Sequence, residues 1–171
     1  MWSITSESSD NKIWLWSITD ESDKLKYINT FEQHTDSVNS VAFSPLGNLL
    51  ASGNDDKTTR LWSVTESGLC LKHTLRDQTP SISEDTYSIH SVAFNSLGNL
   101  LAFGIGDKTV QLWSITDTEP QYKYTFCGGH TGSVLSIVFS PSENLLVSGS
   151  YDKTILLWSI KNLIYKHEGT L

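Results

Sequence analysis

An aspartate closely followed by a lysine recurs at four matching places in this chain, as Asp10 with Lys12, Asp56-Lys57, Asp107-Lys108 and Asp152-Lys153. Such a pair could serve as a general acid and base. Five histidines, His34, His73, His90, His130 and His167, add candidate bases or metal ligands. The spacings favour neither chemistry. No histidines stand at a zinc-ligand spacing such as His-Glu-x-x-His, and Cys70 and Cys127 form no Cys-x-x-Cys. There is no nucleophile elbow and no phosphate-binding loop, and Gly104-Ile-Gly106 is only a fragment of a glycine-rich motif. A tight turn explains all four acid–lysine pairs at once: the Asp caps backbone N–H groups and the Lys points to water. The expectation is no catalytic residue, no metal and no cofactor.

The elements around these turns repeat. Each Asp lies six residues before a tryptophan, in residues 9–17, 55–63, 106–114 and 151–159, and Trp16, Trp62, Trp113 and Trp158 recur 46, 51 and 45 residues apart. A second block precedes each later Trp, in residues 37–45, 88–96 and 133–141, and a third lies between, in residues 48–53, 99–104 and 144–149. All are short and β-branched or apolar, and are bounded by Pro, Gly, Asn, Ser or Asp. Such segments read as strands, and no helical period of 3.6 runs over helical length. A fourth, more polar strand follows at 24–31, 69–75, 121–126 and 162–167. The class is all-β, built of four-stranded antiparallel units.

A unit of this length and order resembles the WD-repeat β-propeller family, whose repeats open near Gly-His and close on Trp-Asp. Gly129-His130 matches the opening dipeptide, Gln33-His34 matches its second half, and Ser follows every Trp where the family usually has Asp. The resemblance implies an arc of about three and three-quarter blades in a single partial propeller domain. Its units are approximately 1–32 (incomplete), 33–76, 77–127 and 128–171. Propellers close with four to eight blades, so the arc reads as a segment of a larger ring.

The resemblance also implies a structural network of His, Ser, Asp and Trp in each unit, which spacing places on His34, Ser52, Asp56 and Trp62 and on His130, Ser148, Asp152 and Trp158. Buried polar groups of these kinds need one another: the carboxylate must be paired, the imidazole can bridge it, and the indole N–H requires an acceptor. The first unit keeps Ser6, Asp10 and Trp16. The third retains only Asp107 and Trp113, with Asp85 and Phe103 at the His and Ser places, so its network is expected to be broken. Family members contact partners beside the turn Asp and early in the first strand. Carried over by position, these residues are Asp55, Lys57, Lys108, Tyr151 and Lys153, together with Asn39, His90 and Leu135. Trp14, outside the register of the other tryptophans, is a second interface candidate, and the polar segment 76–86 is an enlarged loop between units.

With 171 residues, 38% of them hydrophobic, the chain is long enough for a core, and its net charge of −7 with 12 basic residues opposes a phosphate-tracking surface. No membrane span and no signal peptide are evident, and two free thiols suit a reducing compartment, so the expected location is intracellular, cytoplasmic by default with the nucleus left open. The function implied by the resemblance is a non-catalytic protein–protein interaction scaffold whose partners are other proteins rather than nucleic acid. The open ends of the arc are also free to self-associate. The alternatives are a sensor or ligand-binding repeat array of a larger signalling protein and a propeller enzyme.

Overall fold

In a computed structural model, residues 2–5, 10–19, 24–78 and 87–164 are described; Ser6, Asp85, His167 and most of the enlarged loop lie outside them. Among the described residues, fourteen strands are arranged in four antiparallel sheets. The first sheet holds β1 (Trp2–Thr5), β2 (Ile13–Thr19) and β3 (Lys24–Phe31). The second holds β4 (Val38–Phe43), β5 (Leu49–Asn54), β6 (Thr58–Thr65) and β7 (Gly68–Arg76). The third holds β8 (Ile89–Phe94), β9 (Leu100–Ile105), β10 (Val110–Ser114) and β11 (Gln121–Phe126). The fourth holds β12 (Val134–Phe139), β13 (Leu145–Ser150) and β14 (Ile155–Ser159).

Within each sheet the strands follow chain order, as short turns between consecutive strands require. β1 pairs with β2 as β5 pairs with β6, so the first sheet lacks an innermost strand among the described residues. The fourth sheet departs from expectation. Where a fourth strand was expected at 162–167, Lys161–Ile164 form one helical turn, α1, and the remainder lies outside the described residues.

Burial peaks in the second strand of each complete sheet, β5 and β9, and is lowest in the outermost strand. Every residue of β9 is buried, whereas β7 and β11 are largely exposed. The sheets stack through three apolar clusters. Ile13, Val38, Leu50 and Trp62 join the first two sheets; Ala51, Leu61, Ile89, Val92 and Phe103 join the second and third; Ala102, Val110, Leu112, Val134 and Ile137 join the third and fourth. Glycine is required at the tightest of these contacts, because a Cβ on Gly53 would stand 2.7 Å from Ile89 Cγ2. The inner strands β4, β8 and β12 therefore lie against one another's sheets in series, which is the stacking of a β-propeller arc.

Two families of turns finish the sheets. Asn11, Lys57, Lys108 and Lys153 have φ between 66° and 77°, the left-handed region, in which the residue after each turn Asp, Asn11 in the first sheet and a lysine in the other three, closes the turn. The preceding Asp stabilises that turn by accepting the N–H two residues on, from Lys12, Thr58, Thr109 and Thr154. At the other end of the sheets, Gly47 and Gly98 have positive φ, and Glu143 takes the same conformation at φ 58° without glycine's freedom. Its carboxylate accepts hydrogen bonds from Leu97 N–H at 3.0 Å, Asn95 Nδ2 at 3.3 Å and the Ser96 hydroxyl. The strained turn thereby clasps the third sheet to the fourth.

Candidate functional site

In the second sheet the network expected from spacing is present. Trp62 Nε1 donates to Ser52 Oγ at 2.9 Å, Ser52 Oγ lies 2.7 Å from His34 Nε2, and His34 Nδ1 lies 2.8 Å from Asp56 Oδ2. Because the indole can only donate, the serine hydroxyl accepts from it and donates to Nε2. The imidazole then carries its proton on Nδ1 and donates to the carboxylate. Asp56 also accepts from Thr35 N–H, Thr58 N–H and the Thr58 hydroxyl. Burial opposes the charge on Asp56, but the hydrogen bonds from His34 and Thr58 outweigh it and hold the carboxyl at about 2, below its ordinary 3.8.

The fourth sheet repeats the arrangement: Trp158 Nε1 to Ser148 Oγ at 2.8 Å, Ser148 Oγ to His130 Nε2 at 2.8 Å, and His130 Nδ1 to Asp152 Oδ2 at 3.0 Å. The Thr154 hydroxyl, against the cost of burial and with help from the N–H groups of Thr131 and Thr154 and from His130, holds Asp152 well below the usual carboxylate range.

The third sheet forms no network of the kind seen in its neighbours, in keeping with Asp85 and Phe103 at the His and Ser places, and a different set of side chains stands there. Phe103, buried and stacked on Trp113 with ring centroids 5.9 Å apart, fills the serine place. Gln111 takes over the polar role. Its Oε1 accepts from Trp113 Nε1 and from Gln78 N–H, each at 3.4 Å, and its Nε2 donates to Asp77 Oδ1. Asp77 and Gln78 open the enlarged loop, so the insertion supplies partners that the missing histidine would have given. Asp107 keeps the turn role, accepting from the N–H and hydroxyl of Thr109 at 2.9 and 2.6 Å. In the first sheet, Asp10 likewise accepts from Lys12 N–H. Trp16 Nε1 is buried without an acceptor among the described residues. Pairing places Thr5 opposite Trp14 as Ser52 stands opposite Arg60, one residue away from the Ser6 that spacing suggests.

The residues carried over as partner contacts share a feature visible only in the pairing. In β4, β8 and β12 the register shifts between Val38 and Ser40, Ile89 and Ser91, and Val134 and Ser136. Asn39, His90 and Leu135 are thus the extra residues of three matching β-bulges, a device that re-aims a side chain. Asn39 Nδ2 donates to Asp55 Oδ1 at 2.6 Å and to the carbonyl of Ile89 at 3.1 Å, tying the first bulge to its own turn and to the next sheet. His90 lies over Gly106, whose Cβ position is 3.5 Å from its Nε2. Leu135 is 46% exposed and Tyr151 77%. Lys57, Lys108 and Lys153 sit at the left-handed turn positions beside them. Trp14, half-buried, instead packs on Tyr27 of the outermost strand, 5.8 Å between centroids. Cys70 and Cys127 are free and exposed.

No group of three or more His, Cys, Asp or Glu among the described residues could hold a metal, and no described helix is long and apolar enough to cross a membrane.

These sheets, turns and networks are those of a propeller repeat. The family described as "WD domain, G-beta repeat" matches residues 25–63, 76–114 and 120–159, and the chain belongs to it. The first and third matches begin at an outermost strand and end in the third strand of the next sheet, so the sequence repeat straddles two sheets. Among curated relatives, the chain is 36% identical over 133 residues to "Nuclear distribution protein PAC1" of Arthroderma benhamiae, covering 73% of this chain and 26% of the relative. It is 34% identical over 96 residues to "WD40 repeat-containing protein HOS15" of Arabidopsis thaliana, covering 52% and 16%. Over 108 residues it is 32% identical to "Protein transport protein sec13" of Emericella nidulans, covering 61% and 33%. The chain thus spans a third or less of the length of these relatives.

Proposed function

We propose that this chain is a non-catalytic protein–protein interaction scaffold of intracellular type, a single partial propeller domain, and that it meets its partners at the rim formed by Asn39, His90 and Leu135 with Asp55, Lys57, Lys108, Tyr151 and Lys153. The observation that carries this reading is the coincidence of three β-bulges with three different side chains. An identical backbone device presents an amide, an imidazole and an isobutyl group, which suits recognition by a rigid frame with variable tips. Tyr151 and Leu135, both exposed in the fourth sheet, supply an aromatic and an aliphatic anchor of the sort that dominates binding energy. The His-Ser-Asp-Trp networks serve the frame, since every polar atom in them is spent on a neighbour.

The same reading takes the exposed face of the fourth sheet as a route to self-association. The flat projection of such a face is on the order of 300 Å², near the size at which monomers seldom leave apolar surface uncovered. Affinity capture with the wild-type chain, with Tyr151→Ala and with a Leu135→Ala, His90→Ala double variant tests the rim. Loss of bound proteins in both variants supports it. Unchanged capture by both, with loss on Trp14→Ala, places the interface on the outer strands instead.

A further inference from the structure

At the end of the sheets away from the bulges, the turns joining first and second strands carry side chains that the turns themselves do not require. Leu46 and Leu97 stand at matching places in the second and third sheets, and Ser142 holds that place in the fourth. All three turns close alike, by an N–H donated to the carbonyl three residues back: Gly47 to Ser44 at 2.8 Å, Gly98 to Asn95 at 3.1 Å and Glu143 to Ser140 at 2.9 Å. A serine therefore suffices there. The leucines are nonetheless 82% and 66% exposed, and because they stand on touching turns they are not the scattered single apolar residues of an ordinary surface.

The contact between the turns is close, since a Cβ on Gly98 would stand 3.2 Å from Pro45 Cδ. A cleft of about 220 Å³ opens beside it, lined by Leu46, Leu97 and Ile115 and by Asn48, Asn99 and Asp117 among others. That is below the roughly 300–1,000 Å³ of clefts that hold drug-sized molecules, and it suits one long side chain. Asp117 is the only charged residue of the lining. Its carboxylate is exposed and has no ion pair or hydrogen bond among the described residues. Glu143, which accepts the Leu97 N–H, adds a second negative charge, met only by neutral donors. Asn48 and Asn99 spend their side-chain oxygens on the Ser44 hydroxyl and Asn95 Nδ2, at 2.9 and 2.7 Å, while their own Nδ2 groups have no acceptor among the described residues.

We infer that this cleft is a docking site for a segment of a partner protein that presents an arginine. The aliphatic stem of the arginine lies against Leu46, Leu97 and Ile115, its guanidinium pairs with Asp117, and the amides of Asn48 and Asn99 donate to carbonyls of the segment. A purely apolar side chain would cover the leucines but leave Asp117 partly desolvated without a partner. An acidic one would meet like charge. Arginine suits the site better than lysine because a guanidinium is more weakly hydrated and presents two parallel donors to a carboxylate. Of the twelve basic residues of the chain only Lys166 lies outside the described residues, so one substitution separates a partner from a stretch of this chain. The cleft lies at the opposite end of the sheets from the proposed rim, and the inference does not depend on that rim.

The test titrates the full-length, isotope-labelled chain with the capped peptide acetyl-Gly-Ala-Arg-Ala-Gly-amide, and with the same peptide carrying citrulline, a neutral side chain of nearly the same shape. Amide chemical shifts are followed by NMR. The arginine peptide should shift the amides of Gly98, Asn99 and Asp117 in a saturable way, and the citrulline peptide should bind roughly tenfold more weakly. Asp117→Asn should abolish the preference for arginine. Leu97→Ser, which copies the turn of the fourth sheet and so should fold, should weaken both peptides alike. Equal affinity for the two peptides, shifts confined to other parts of the chain, or an arginine preference that survives Asp117→Asn would overturn the site. Tighter peptide binding in Lys166→Gln would assign the cleft to this chain's own C-terminal residues and overturn the named occupant.

Discussion

Gln111 donates from Nε2 to Asp77 Oδ1 in the third sheet, and through Oε1 it also accepts the Trp113 indole N–H. It thus does for that sheet what a histidine and a serine do for its neighbours. The network is a requirement of the buried indole and its surroundings, and more than one set of side chains meets it.

Gln111→Leu keeps the volume of a fully buried side chain but leaves the Trp113 N–H without its acceptor. The expected loss is about 1–3 kcal/mol, measured by denaturant unfolding. Asp107→Ala, which removes turn contacts to Thr109, should cost less than Gln111→Leu; the reverse order would show that the third sheet relies on its turn rather than on the glutamine.

Asp56→Ala strands the buried His34 and the Thr35 N–H, for an expected loss of about 1–3 kcal/mol. Trp62→Ala empties a site that is 1% exposed and should lose about 3–5 kcal/mol. Trp158→Ala should lose less than Trp62→Ala, because Trp158 is only half-buried. Equal losses for the two tryptophans would contradict the difference in packing between the second and fourth sheets.

Acid should weaken the fold through the network aspartates. Asp56 titrates at about 2 in the folded chain against an ordinary 3.8, so the unfolded chain binds more protons between these values and stability rises with pH across them. The contribution of Asp56 is complete above about pH 4 and lost as pH falls towards 2. Thermal unfolding from pH 5 to 2 should show a shallower acid slope for Asp56→Asn than for the wild-type chain.

Glu143 holds a left-handed turn for the sake of three hydrogen bonds to the third sheet. Glu143→Gly should relieve the backbone yet still destabilise the chain, and Glu143→Ala should destabilise it more, since alanine keeps the unfavourable φ and loses the clasp. A stabilised Glu143→Gly variant would show that the clasp contributes less than the turn costs.

Strand positions were legible because the turn residues recur in register. The expected fourth strand at 24–31 is β3 to the residue, and the spacings of His34 and His130 to their Ser, Asp and Trp partners converge in space as the types demand. Gln111 was not legible as a network member: it stands at a variable third-strand place two residues before Trp113, on the same face of β10, and only the fold brings Asp77 and Gln78 to it. The bulges at Asn39, His90 and Leu135 were equally hidden: an extra residue is defined only by the strand opposite. At 162–167 the apolar and aromatic residues suit a strand, but residues 161–164 adopt a helical turn instead, with Ile160 buried against the third and fourth sheets and Leu163 packed on the same cluster.

The central claim is that partners meet the bulge-and-turn rim. A photo-activatable benzophenone amino acid at position 151, compared with the same group at position 124 on the outermost strand of the third sheet, tests it most directly, because Tyr151 and Tyr124 are both exposed. Irradiation in a lysate should yield discrete protein adducts at position 151 and none, or only a diffuse background, at position 124. Discrete adducts at position 124 with none at 151 would contradict the account.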